Sequence, residues 1–155
     1  MGTAVEDRLE ALGLILPSAA APAANYLPFA RHGDLIFVSG QLCIGPEGLT
    51  IKGKLGDNVT LADGQQAARL CAMNILAQAK AALDGDLERV RQIIRITGFV
   101  ASAPGFTDQH LVVNGASDLL VDVLGERGRH SRAAVGMACL PLDAAVEIDA
   151  VIAAG

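Results

Sequence analysis

Residues 129–153 read RHSRAAVGMACLPLDAAVEIDAVIA, and the fold turns on how this stretch is arranged. Its β-branched and small apolar residues predict two strands, from about Ser131 to Leu140 and from about Ala145 to Ala153. Side chains alternate along a strand. In the second strand Val146, Ile148, Ala150 and Ile152 therefore share one face, and Glu147, Asp149 and Val151 the other. Pro141 and Asp143 supply turn chemistry between the strands, so the stretch reads as a hairpin. Two charges stand out in this apolar setting: Arg132 opens the hairpin and Glu147 lies within it. A charge so placed is paired, exposed, or kept for a ligand.

Upstream, Thr107 to Leu124 has helical spacing, with Leu119, Leu120, Val123 and Leu124 on the apolar side. Asn114-Gly115 would ordinarily signal a hairpin. Embedded in a helix, the glycine costs about 1 kcal/mol relative to alanine, which implies that another backbone or a ligand comes close there. Val90 to Ser102 is β-branched and long enough for a buried strand. Before it, Thr60 and Asp63 resemble a capping box that opens a long helix to about Leu83. The apolar stripe of that helix, Ala68, Cys71, Ala72, Ile75, Ala79 and Leu83, is rich in alanine and predicts close packing on a sheet.

Residues 44–59, punctuated by glycines, read as a loop holding one short strand. Tyr26–Ala30 and Leu35–Gln41 read as strands joined at His32-Gly33-Asp34. Residues 4–14 read as a helix and Pro17–Ala24 as a connector. The order helix, β, β, α, β, α, β, β predicts an α+β domain over residues 1–155, with two main helices on one face of a single sheet and residues 1–24 forming the N-terminal helix and connector.

Composition narrows the function. The 155 residues are 52% hydrophobic and only 3% aromatic, more aliphatic content than one small domain needs to bury, and a subunit interface is the natural outlet. A net charge of −5 with no basic run makes a nucleic-acid partner an unfavoured expectation. Cys43, Cys71 and Cys139 show no ligand spacing, so neither a metal nor a disulfide framework is expected, and all three read as buried reduced thiols. No apolar run reaches the roughly 20 residues of a membrane span. Ala11–Leu16 followed by Ser18-Ala19-Ala20-Ala21 imitates a signal peptide, but Glu6, Asp7 and Glu10 give its front end the wrong sign. The N-terminus also lacks the myristoylation pattern, and the expectation is a cytoplasmic protein.

Arg132-Ala133-Ala134-Val135, Leu140-Pro141 and Val146-Glu147-Ile148-Asp149-Ala150 together resemble the C-terminal signature of the RidA (YjgF, or L-PSP) family, an R-[ST]-x-V segment followed by L-P and a V-E-I-E-A strand. The resemblance runs from about residue 25 to 153. Tyr26 matches an early tyrosine, Leu35-Ile36-Phe37-Val38-Ser39-Gly40-Gln41 an I-x-x-S-G-Q strand, and Val113-Asn114 the V-N of the second helix. The N-terminal helix and the residues around Gly45 to Leu55 resemble the family's longer branch.

The resemblance implies a chorismate-mutase-like α+β fold, a homotrimer with ligand sites between subunits, and hydrolysis of reactive enamines and imines to 2-oxo acids and ammonia without cofactor or metal. It implies that Arg132 clamps the substrate carboxylate, as a planar two-pronged donor can. By the same resemblance Glu147 positions or activates water, while Tyr26, Ser39, Gly40 and Asn114 line the cleft. Three departures reshape the pocket wall and leave substrate preference open: Ala133 replaces Ser or Thr, Ala134 replaces a frequent cysteine, and Ala24-Asn25 replaces G-P.

Each residue also has a plainer reading. Arg132 could make a surface or interface ion pair, and Glu147 could sit on a solvated strand face. Tyr26 and Asn114 could be structural hydrogen-bonders, and Ser39 a strand-end hydroxyl with no base to activate it. His32, His110 and His130 are scattered and read as loop or helix-surface residues. The acid pairs Asp84/Asp86 and Asp118/Asp122 read as solvated charges. The same cleft could serve a non-catalytic sensor of small carboxylates. An endoribonuclease or translation inhibitor is the third class, opposed by the acidic charge and the lack of stacking aromatics.

One expectation is geometric. In a hairpin turning between Leu140 and Ala145, Arg132 pairs near Ala153, about six residues from Glu147. That is roughly 20 Å, so the two charges would meet only if different subunits supplied them.

Overall fold

A computed structural model describes residues 3–19 and 24–155. Positions 20–23 of the expected connector lie outside the described residues. The elements run α1 (Ala4–Ala11), β1 (Phe29–His32), β2 (Leu35–Leu42), β3 (Ile44–Gly45), β4 (Gly48–Leu49), α2 (Leu61–Ala82), β5 (Val90–Ala101), α3 (Gln109–Leu124), β6 (Ser131–Met137) and β7 (Val146–Ala154). This is the expected α+β fold. Its main sheet has the strand order β1-β2-β7-β5-β6, antiparallel throughout except for the parallel pair β5/β6.

The C-terminal strands exist, but the hairpin does not. β6 and β7 never pair: β6 lies on the sheet edge beside β5, and β7 enters between β2 and β5. The link between them, residues 138–145, contains a tight 3₁₀ turn, Pro141–Asp143, in which Leu142 and Asp143 both adopt positive φ. A two-residue hairpin favours Gly or Asn at such positions, and Leu140–Asp143 offers neither. Instead the loop before α2 holds the link. Gly53 N donates to Asp143 O and Ala145 N to Ile51 O, which steers the chain past the end of β5.

Alternation along β7 is as expected, with Val146, Ile148, Ala150 and Ile152 buried. They face the helices, as do Ile96 and Val100 of β5. All six stripe residues, five in α2 and Leu83 just beyond its end, are buried, and Thr60 Oγ accepts a hydrogen bond from Asp63 N at the helix start. Gly115 justifies itself: a Cβ there would collide with the backbone carbonyl of Gln65 on α2. A side chain at Gly98 would likewise strike Val113, so glycines seat α3 on both its neighbours.

Smaller departures have local causes. Tyr26 precedes the first strand, which begins at Phe29 because Pro28 has no N–H to give to a ladder. The region after β2 contains a small hairpin, β3/β4, where one strand was expected. The helix α1 ends at Ala11, short of Leu14. Val5 and Leu9 are buried but Leu12 is exposed. The helix is held by Glu6 to Lys80 and by Arg8 Nη1 donating to the carbonyl of Val123, across the C-terminal turns of α2 and α3. Cys43 and Cys71 are buried. Cys139 is exposed, because the chain has already left the sheet edge there.

Candidate functional site

The first group of site residues is built on β6 and α3. Arg132 pairs in register with buried Ile96, so its side chain emerges on the helix side of the edge strand. Its guanidinium lies against α3: Nη1 donates to Ser117 Oγ at 3.0 Å and Nη2 to the carbonyl of His110 at 3.0 Å. His110, Asn114 and Ser117 follow one another at helical spacing on a single stripe, which places Asn114 between the arginine's two anchors. Among the described residues Arg132 commits two of its five N–H donors. The others can take a carboxylate.

The second group lies on the opposite, helix-free face of the sheet. Val38 pairs with Ala150 and Gln41 with Ile148, three steps against two, so Ser39-Gly40 forms a bulge in β2. The bulge brings the Gly40 backbone over Glu147, and a Cβ on Gly40 would collide with that carboxyl group. Burial, and secondarily the neighbouring Asp149, push the pKa of Glu147 above the usual carboxylate value. Ser39 ties the preceding segment to the bulge: its N–H donates to Pro28 O at 2.9 Å and its hydroxyl to Leu27 O at 2.7 Å. The hydroxyl proton is thus committed within the chain, and the lone pairs of the oxygen remain. Tyr26, next along that segment, is 53% exposed. The same face holds a 530 Å³ depression lined by Leu27, Phe37, Ser39, Arg95, Thr97 and Asp149 among others.

Ser39, Gly40 and Glu147 thus gather at the β2 bulge, with Tyr26 next in sequence to the Leu27 anchored there, and Arg132 and Asn114 lie at the β6 edge. The expected 20 Å separation rested on a hairpin that does not form. Through β5, Arg132 stands level with Ala150, and Glu147 lies three residues further along and two strands across. That is about 14 Å between backbones, with the side chains on opposite faces of the sheet. Within one chain they do not share a cleft.

Sequence reading passed over Ser117 and took His130 for a loop or helix-surface residue. Ser117 Oγ lies 2.9 Å from His130 Nε2, and His130 Nδ1 is 2.6 Å from the carbonyl of Gly128. A signal was present: residues 130 and 132 share strand parity, and 117 is one turn beyond 114. The other expectations for charges fared better. Asp118 and Asp122 are exposed, and Asp86 caps the 3₁₀ turn at Leu87–Arg89.

The family described as "YjgF/chorismate_mutase-like, putative endoribonuclease" matches residues 6–152. The chain belongs to the RidA (YjgF) family. Protein TCP17 of Trypanosoma cruzi is 49% identical over 149 residues, covering 96% of this chain and 92% of that protein. The crystal structure of protein Atu1372 from Agrobacterium tumefaciens, described as of unknown function, superposes with a TM-score of 0.93 at 54% identity, covering 98% of this chain and 93% of the other. A "putative endoribonuclease" from Shewanella oneidensis MR-1 gives 0.92 at 36% identity, covering 96% and 98%. RidA membership accounts for the chorismate-mutase-like sheet and for the order of the motifs along it. Among the described residues no helix is long and apolar enough to cross a membrane.

Proposed function

We propose that this protein hydrolyses 2-imino and 2-enamino acids to 2-oxo acids and ammonia, in a cleft completed by a second copy of the chain. The observation that carries the proposal is the split site: a guanidinium with N–H groups to spare on one face, and a carboxyl group with a raised pKa on the other. In a cyclic homotrimer the helix-free face of one subunit meets the edge of the next, which would bring the halves together. Exposed Phe37, Val135 and Leu35 on that face supply apolar area for such a contact.

The chemistry asks little of the protein. Arg132 holds the substrate carboxylate, which fixes the C=N carbon against the partner's surface. An enamine first gains a proton on its β-carbon from solvent and loses one from nitrogen, giving the imine. Water adds to the C=N carbon, its proton passes to the nitrogen, and the C–N bond breaks as the hydroxyl proton leaves, giving a 2-oxo acid and ammonia. Glu147 is suited to receive the water's proton and return it to the departing nitrogen, since a carboxyl with a raised pKa works nearer neutral pH. The reaction is a balanced hydrolysis with no metal and no cofactor. In this reading the protein works in the cytoplasm.

The test generates imines from a panel of amino acids with an amino-acid oxidase and follows their loss with and without the protein. Acceleration in wild type and none in Arg132→Ala supports the reading. A protein that leaves imine loss unchanged while still binding pyruvate would be a carboxylate sensor, a reading favoured by the Ala133 and Ala134 changes beside Arg132. The family description carries the word endoribonuclease. RNA cleavage by this chain, lost in the same variant, would favour that activity despite the net charge of −5.

A further inference from the structure

We infer that Ser117 and His130 are positioning residues that lock the guanidinium of Arg132 for carboxylate capture. The inference rests on reading Arg132 as the carboxylate clamp.

Valence, with a neutral imidazole at His130, sets the direction of each hydrogen bond. A carbonyl oxygen only accepts, so His130 Nδ1 carries the proton given to Gly128 O, 2.6 Å away. In the neutral ring Nε2 is then the acceptor, and the Ser117 hydroxyl, at 2.9 Å, donates to it. This turns a lone pair of Ser117 Oγ toward Arg132 Nη1, which donates at 3.0 Å. The chain therefore runs from Arg132 to Ser117 to His130 to Gly128 with one donor and one acceptor at every step. Such a run polarises its members cooperatively.

Both ends of the relay are fixed by the fold. Gly128 is buried, and a Cβ on it would collide with the carbonyl of Leu120, so the turn carrying the final acceptor is pressed against α3. At the other end Arg132 Nη2 donates to His110 O, one stripe position before Asn114. Two anchors on different nitrogens fix the plane of a guanidinium, where one would leave it free to rotate. An arginine on an edge strand otherwise carries much side-chain entropy, and a ligand would have to bear the cost of ordering it.

The experiment compares Ser117→Ala, Ser117→Thr, His130→Asn and His130→Gln in the full chain. His130→Asn keeps a donor for Gly128 but loses the acceptor for Ser117, whereas His130→Gln keeps an acceptor where Nε2 stood. Two readouts are taken: steady-state imine hydrolysis, and ¹⁵N NMR of the Arg132 side chain, assigned by its loss in Arg132→Ala.

Ser117→Ala and His130→Asn are expected to raise KM about tenfold with kcat within about threefold of wild type. Ser117→Thr and His130→Gln should recover most of that loss. The double variant Ser117→Ala/His130→Asn should be no worse than either single one, because all act through one chain of bonds. Rotation of the guanidinium should be slow in wild type and fast in the two damaging variants.

A guanidinium equally restrained in wild type and Ser117→Ala would overturn the inference, as would an unchanged KM in a folded variant. If Arg132→Ala changes neither hydrolysis nor pyruvate binding, the clamp reading itself falls. Slow guanidinium rotation in wild type would then make the trio a structural contact, and the positioning role would be overturned with it.

Discussion

The two halves of the candidate site are finished to different degrees. At the β6 edge Arg132 has partners on two of its nitrogens, and the groups that hold it are themselves held. At the β2 bulge Glu147 makes no ion pair among the described residues. It faces a glycine backbone and an acidic neighbour, on a sheet face no helix covers. One half is ordered within the chain, while the other holds a polar group at a cost. The difference teaches that one subunit can order an arginine completely while leaving a half-buried carboxyl without a compensating charge.

The largest expected effect breaks the prepared half. Arg132→Ala should lower kcat/KM for imine hydrolysis by about 100-fold, the worth of a charge-assisted two-pronged contact. Arg132→Lys should recover only part of it, because a point charge lacks the planar fork. Gly115→Ala tests the frame beneath that half. Its Cβ meets the Gln65 carbonyl, so α2 and α3 must separate, and denaturant unfolding should show a loss of about 2 kcal/mol.

Gly40→Ala addresses the other half. Its methyl group would displace the Glu147 carboxyl, and kcat should fall about tenfold with KM less affected. The smallest effect sharpens the contrast in protonation. The folded state holds the Glu147 proton more tightly than the unfolded chain does. This carboxyl therefore contributes stability below its unfolded value of about 4.3 and loses it as pH rises through the folded value. Glu147→Gln should raise Tm at pH 7 by no more than about 3 °C, solvent screening limiting the gain, and the gain should vanish toward pH 4. A Tm that falls at pH 7 would mean that the ionised form is stabilised in the folded protein.

Much of this was legible in the sequence, and the parts that were not share a cause. Periodicity is a local signal. It placed the α2 stripe, the alternation of β7 and the helix through Asn114-Gly115, where the glycine carries the close backbone approach expected of it. Strand partners are not a local property, and the turn chemistry of Leu140–Asp143 was read as a hairpin although β5 lies between the strands on either side of it. That single error set the wrong distance between Arg132 and Glu147. The motif residues themselves were found by resemblance, but motif spacing does not say which face of a sheet each one occupies. His130 was read as a loop or helix-surface residue because its partner, Ser117, is 13 residues earlier and on a helix.

The place of β7 has a consequence for how the chain comes into being. β1 and β2 form one pair, β5 and β6 another, and nothing joins the two pairs except the strand that follows them all in sequence. As the protein emerges from the ribosome, residues 29–42 and 90–137 must wait with bare ladder edges until residues 146–154 slide between them. The sheet is therefore closed from its centre, by the last of its strands to be made. The interval before that closure is when two newborn chains are most open to pairing with each other instead of with themselves.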